Sequence, residues 1–147
     1  MKILLFAALF VLAACSSNDQ RAQVYQKEGA AISGYDPVAF FSEQKPVKGS
    51  AQYTTEWNGA QWRFASKAHL DSFVTAPAKY APQYGGYCAY GTADGHKATT
   101  EVDTWTIIDG KLYFNYNKEV KQLWNKQIPE YIQQADANWP QVKNSKL

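Results

Sequence analysis

The sequence predicts an α+β fold: a single small domain in which antiparallel β-hairpins pack with a few helices and the chain ends in a kinked C-terminal helix. Three observations lead there. Two stretches alternate apolar and polar residues on either side of a tight-turn dipeptide, Asn58-Gly59 and Asp109-Gly110. Between and after them, apolar residues recur at helical spacing. Strand and helix signals are interspersed without a regular strand–helix–strand alternation, so a parallel sheet is not expected.

Taken in order, Asp36-Pro37 reads as an N-cap with proline at the first helical position, opening a short helix through Phe41. Tyr53, Thr55 and Trp57 alternate before Asn58-Gly59, and Ala60, Trp62 and Phe64 alternate after it. Ser66 caps the next helix, whose apolar face is Leu70, Phe73 and Val74 and which Pro77 stops. The second hairpin runs from Trp105 through Ile108, turns at Asp109-Gly110, and returns from Lys111 to Tyr116. The last helix begins near Asn117 and places Val120, Leu123, Trp124, Ile128, Tyr131, Ile132 and Ala135 at helical spacing. Pro129 should kink or split it, because proline removes a backbone donor and crowds the preceding turn. The shared core is expected around Trp57, Trp62, Phe64, Leu70, Phe73, Trp105, Ile107 and Tyr113.

The front of the chain reads as an address. Lys2 and the apolar run Ile3 to Leu12 have the layout of a short secretory signal, and Leu12-Ala13-Ala14-Cys15 resembles the bacterial lipobox. The expected organisation is a lipoprotein signal peptide over 1–14, a lipidated tether over 15–23 and the folded domain over 24–147. Cys15 would carry the acyl chains, a durable anchor at ~0.8 kcal/mol per buried CH₂. Ser16, where an aspartate would favour inner-membrane retention by resemblance to envelope sorting in two-membrane bacteria, directs the protein to the outer membrane, facing the periplasm.

Composition excludes several classes. The formal net charge is +2 in 147 residues, with acids and bases mixed, so no basic stripe for nucleic acid is present. No later apolar run approaches the ~20 residues of a membrane span, so a polytopic membrane protein is excluded. Two cysteines and two histidines rule out a four-sulfur zinc cage from one chain. There is no nucleophile elbow, no phosphate-cradling glycine loop and no His-Glu-x-x-His motif, so no enzymatic activity is expected.

The densest chemistry lies in Tyr80-Ala-Pro-Gln-Tyr84-Gly-Gly-Tyr87-Cys88-Ala-Tyr90-Gly91. Its glycines permit sharp turns and close backbone approach. Two readings stand side by side: the tyrosines are core and rim aromatics with Cys88 a small buried hydrophobe, or Cys88 is a soft ligand or redox thiol. With Cys15 acylated, Cys88 has no partner within the chain. His69 lies at the edge of the Ser66 helix's apolar face, and His96 falls in a polar loop.

These residues resemble the YHS domains. The family's small metal-binding members carry Asp-Pro-Val-Cys, then Phe-Cys-Ser, a further ligand three residues on, and Phe-x-x-x-Pro-x-x-Tyr. The corresponding residues here are Asp36-Pro37-Val38-Ala39, Phe64-Ala65-Ser66, His69 and Phe73-Val-Thr-Ala-Pro77-Ala-Lys-Tyr80. From about Ile32 to Trp139 the chain also looks like longer, secreted YHS-domain proteins with Gly-Tyr-Asp-Pro-Val-Ala, Pro-Gln-Tyr-Gly-Gly-Tyr-Cys-Ala and Asp-Gly-Lys-Leu-Tyr. Two of the family's cysteine positions are Ala39 and Ala65, which cannot ligate, and only His69 keeps a donor. The resemblance therefore implies a rebuilt metal site of Cys88 and His69, for copper or zinc, lined by Tyr35, Asp36, Tyr84, Tyr87 and Tyr90. Haem is not the expected cofactor. The expected function is metal sensing, storage or delivery by an envelope lipoprotein, with the membrane reached through the lipid and an envelope protein as partner. The alternative is a non-catalytic protein-interaction or small-ligand-binding module without metal.

Overall fold

Three X-Gly dipeptides organise the strands of this computed structural model, which describes residues 22–147. Glu28-Gly29, Asn58-Gly59 and Asp109-Gly110 all have positive φ at both residues, the backbone of a type I′ turn. That turn's twist matches the flanking strands, so each dipeptide closes an antiparallel hairpin: β1 (Gln26–Lys27) with β2 (Ala30–Ala31), β3 (Ser50–Trp57) with β4 (Ala60–Phe64), and β5 (Thr106–Ile108) with β6 (Lys111–Tyr113). The first hairpin was not anticipated, since its strands are two residues long and show no alternation. The third is shorter than expected. In β3–β4, Thr55 pairs with Trp62 and Trp57 with Ala60, and a register shift lies between Ser50 and Thr54.

Six helices pack around these hairpins: α1 (Ala39–Ser42), α2 (Lys67–Thr75), α3 (Pro77–Tyr80), α4 (Ala89–Ala93), α5 (Lys118–Trp124) and α6 (Ile128–Val142). Ser66 caps α2 as expected, its hydroxyl accepting from the His69 N–H at 3.2 Å. The expected C-terminal helix is split rather than kinked. α5 ends at Trp124, and Pro129 sits in the first turn of α6, where its missing N–H costs nothing. α6 runs on to Val142, past Ala135, the last residue of the expected apolar period, and carries Pro140 inside it.

The interior is divided into two clusters rather than gathered around one set of residues. The larger holds Phe40, Trp62, Phe64, Phe73, Leu112 and Phe114, with Trp57, Leu70, Trp105 and Ile107 packed against it. Phe73 is fully buried at its centre, its ring 5.1 Å from both Trp62 and Phe64 and 5.8 Å from Trp57. Tyr113 faces the other way. It belongs with Tyr84, Trp124 and Ala135 in the second cluster, beneath α4 and α6. Alternation along β6 explains this: Leu112 and Tyr113 point to opposite sides of the strand, and both sides are covered.

Candidate functional site

Asp36 fixes the first of two places where polar chemistry gathers. Its carboxylate is completely buried. One oxygen accepts from the backbone N–H groups of Val38 (2.8 Å) and Ala39 (3.3 Å), holding the start of α1 from three residues ahead of it. The other accepts from the Ala65 N–H at 2.8 Å and meets His69 Nδ1 at 2.6 Å. A carboxylate offers acceptors only, so the neutral imidazole carries its proton on Nδ1 and turns Nε2 outward as an acceptor. Nε2 lies 3.3 Å from the Ser42 hydroxyl. The order Asp–His–Ser is that of a hydrolytic triad, but Ser42 ends a four-residue helix and its hydroxyl also donates to the Val38 carbonyl at 3.1 Å. That bond draws the hydroxyl's one proton away from Nε2, which would need it for base-assisted attack.

Cys88 has a different setting. It is 1% exposed, and its sulfur accepts the Gly91 N–H at 3.4 Å as the N-cap of α4, while the thiol reaches Asn115 Oδ1 at 3.6 Å. Burial pushes the thiol above its ordinary pKa, so it is a poor nucleophile and a poor thiolate. The opposite end of α4 is held by Asn138 of α6, whose amide donates to the Thr92 and Ala93 carbonyls at 3.2 and 2.9 Å. His69 and Cys88 share no hydrogen-bond partner among the described residues. Nor do any three His, Cys, Asp or Glu side chains there gather closely enough to hold a metal ion. The described residues of one chain thus do not by themselves make a complete copper or zinc site. His96, expected in a polar loop, is exposed beside Asp94.

The expected lining tyrosines are dispersed. Tyr35 lies under the Lys48 ammonium, 4.7 Å from ring centre to nitrogen. Tyr90 packs on Tyr131 at 5.0 Å. Tyr87 donates to the Ala22 carbonyl at 2.7 Å, and buried Lys97 donates to the same oxygen at 2.9 Å, so the chain is already docked on the domain at Ala22. Tyr84 is the one that reaches a cavity.

That cavity is the second place: an open cleft of about 460 Å³ between the Asn58-Gly59 turn, the Ala81–Gly85 segment and the outer face of α6. Tyr84 has φ 55° and Gly85 φ 62°, which bends the segment sharply. A Cβ on Gly85 would stand 1.8 Å from the Gln23 carbonyl, so only glycine lets the 23–25 segment close the cleft's end. The Tyr84 hydroxyl donates to Asp136 Oδ1 at 2.8 Å, and burial, reinforced by that carboxylate, raises the phenol's pKa. The phenol therefore stays protonated and orients Asp136. Trp57 and Trp139, both half-buried, line the cleft together with the buried Trp62. Sequence reading did not find Asp136, Trp139 or Lys143 as site residues. The signal was present, since Trp139 continues the period of Tyr131, Ile132 and Ala135, but the apolar period was followed only as far as Ala135.

Comparison with known proteins reaches part of this structure. Residues 38–84 match the family model of the YHS domain, about a third of the chain. The match spans α1, the β3–β4 hairpin, α2 and α3, and ends at Tyr84 on the cleft. No curated protein and no solved structure matches the chain significantly.

Proposed function

We propose that this chain is an envelope lipoprotein whose YHS-like domain is a non-catalytic small-ligand-binding module, with the cleft between the β3–β4 turn and α6 as its working site. The observation that carries this reading is the cleft itself. About 460 Å³ falls within the roughly 300–1,000 Å³ of small-molecule pockets, and its lining mixes aromatic surface with a few fixed polar groups. The lipobox-like Leu12-Ala13-Ala14-Cys15 and the polar stretch behind it support attachment to a membrane, outside the described residues.

A thermal-shift screen tests the proposal. A ligand that binds only the folded state raises stability by RT ln(1 + [L]/Kd), about 2.7 kcal/mol at a hundredfold excess over Kd. At least one small organic compound should raise the melting temperature of the full chain, and Trp139→Ala should abolish the rise. Shifts from divalent metal ions alone would contradict the reading.

One observation favours a second reading. YHS domains are often linked to metal handling, copper above all, and the Asp36–His69 pair has the form of a carboxylate-oriented metal ligand. A single imidazole is too few donors, so a copper or zinc ion would have to bring its other ligands from an envelope partner. In this reading His69→Ala, and not Cys88→Ala, removes metal transfer from a loaded donor.

A further inference from the structure

Resting on the ligand-module reading, we infer that the cleft takes a neutral sugar ring, alone or as one unit of an oligosaccharide. The argument starts from charge. Asp136 and Lys143 bring one carboxylate and one ammonium to the same cleft, and neither is in an ion pair among the described residues. An anion would be drawn to Lys143 and repelled by Asp136, and a cation the reverse. A ligand without net charge meets neither penalty.

Polarity narrows the class further. Asn58 and Gln83 add amides, each able to donate and accept, while Asp136 keeps one oxygen without a hydrogen bond beyond its bond from Tyr84. A wholly apolar ligand would strip water from these groups and return nothing. The ligand must therefore carry several hydroxyl-type donors and acceptors. Yet Trp57 and Trp139 present aromatic surface that a purely polar molecule would leave poorly covered. A pyranose answers both demands, because its ring has faces of C–H groups and an equator of hydroxyls. A quaternary ammonium also suits aromatic faces and a carboxylate, but it would be opposed by Lys143 and would leave the amides unfilled.

The test is tryptophan fluorescence and calorimetry on the full chain in a polyoxyethylene detergent, whose headgroup is neither a sugar nor a quaternary amine. The probes are glucose, N-acetylglucosamine, maltotriose and chitotriose, with choline and glycine betaine in parallel. At least one neutral sugar should bind saturably, and Trp139→Ala should weaken it tenfold or more. Because Trp139 also packs on Tyr84 and Tyr87, Gln83→Ala serves as a second variant, and it should weaken binding at least threefold with an unchanged melt. Saturable binding of choline or betaine with no sugar bound would overturn the sugar inference and leave the ligand-module reading standing. Sugar binding untouched by either variant would place it elsewhere and overturn the inference. No saturable binding of any probe would contradict both.

Discussion

The Asp36 carboxylate, buried and accepting four hydrogen bonds, ties α1, the end of β4 and α2 to one point. Asp36→Ala would strand three backbone N–H groups and the imidazole Nδ1, and breaking such a buried pair typically costs ~3–5 kcal/mol. Urea denaturation should record a loss of that size, with a smaller loss for Asp36→Asn, which keeps one acceptor. Cys88 makes a contrasting prediction. Its pKa is raised in the folded state from an ordinary 9.0, so the unfolded thiol loses its proton first as pH rises. The thiol's contribution to stability is thus whole below about pH 9 and falls away above it. The stability gap between the native chain and Cys88→Ala should narrow between pH 8 and pH 10.5, and a constant gap would contradict the assigned burial. Asp36 was legible as an acceptor for the N–H groups at a helix start because such bonds are local, but the helix opens at Ala39, with Val38 at its N-cap, rather than at Pro37. Its bond to His69, thirty-three residues on, was not, since nothing in the spacing indicates which side chain a buried carboxylate will meet.

Elements whose signals are short-range came out of the sequence well. The turns of β3–β4 and β5–β6 follow from Asn-Gly and Asp-Gly, and the cap and apolar face of α2 follow from Ser66 and the Leu70–Phe73 period. Phe73→Ala should cost ~3–5 kcal/mol by chemical denaturation, because the ring is fully buried against three aromatic neighbours. A loss under ~1 kcal/mol would mean that α2 packs by another face. The division between α5 and α6 was harder to read. Pro129 was identified, but whether proline breaks a helix or starts one depends on the residues before it, and here the chain leaves the helix at Asn125–Gln127 and restarts. Pro140 then lies inside α6, which a purely local rule would not allow. Gly85→Ala should lose at least ~2 kcal/mol, since neither the positive φ nor the approach of Gln23 can accommodate a methyl group.

At the scale of the whole molecule, two aromatic clusters meet along β6, and the cleft opens beside them where the Gln23–Val24 segment, a hairpin turn, a glycine-bent segment and the last helix converge. Four segments far apart in sequence build it, which is why a search for dense local motifs settled on the Tyr80–Gly91 stretch and found only one wall. Among the described residues no helix is long and apolar enough to cross a membrane. In the proposed lipoprotein the membrane anchor would be Cys15, and Cys15→Ser should leave the domain's melt unchanged while removing lipid labelling; a collapse in stability would contradict a purely anchoring role. The most direct test of the cleft as the working site is an indole N–H spectrum of the full chain, whose five tryptophans report separate places. Adding chitotriose or maltotriose, then zinc in a separate sample, should shift the Trp57 and Trp139 signals with the sugar alone and leave Trp105 and Trp124 in place. Cleft signals unmoved by every sugar, together with a stoichiometric zinc-induced shift of any indole signal, would contradict the account.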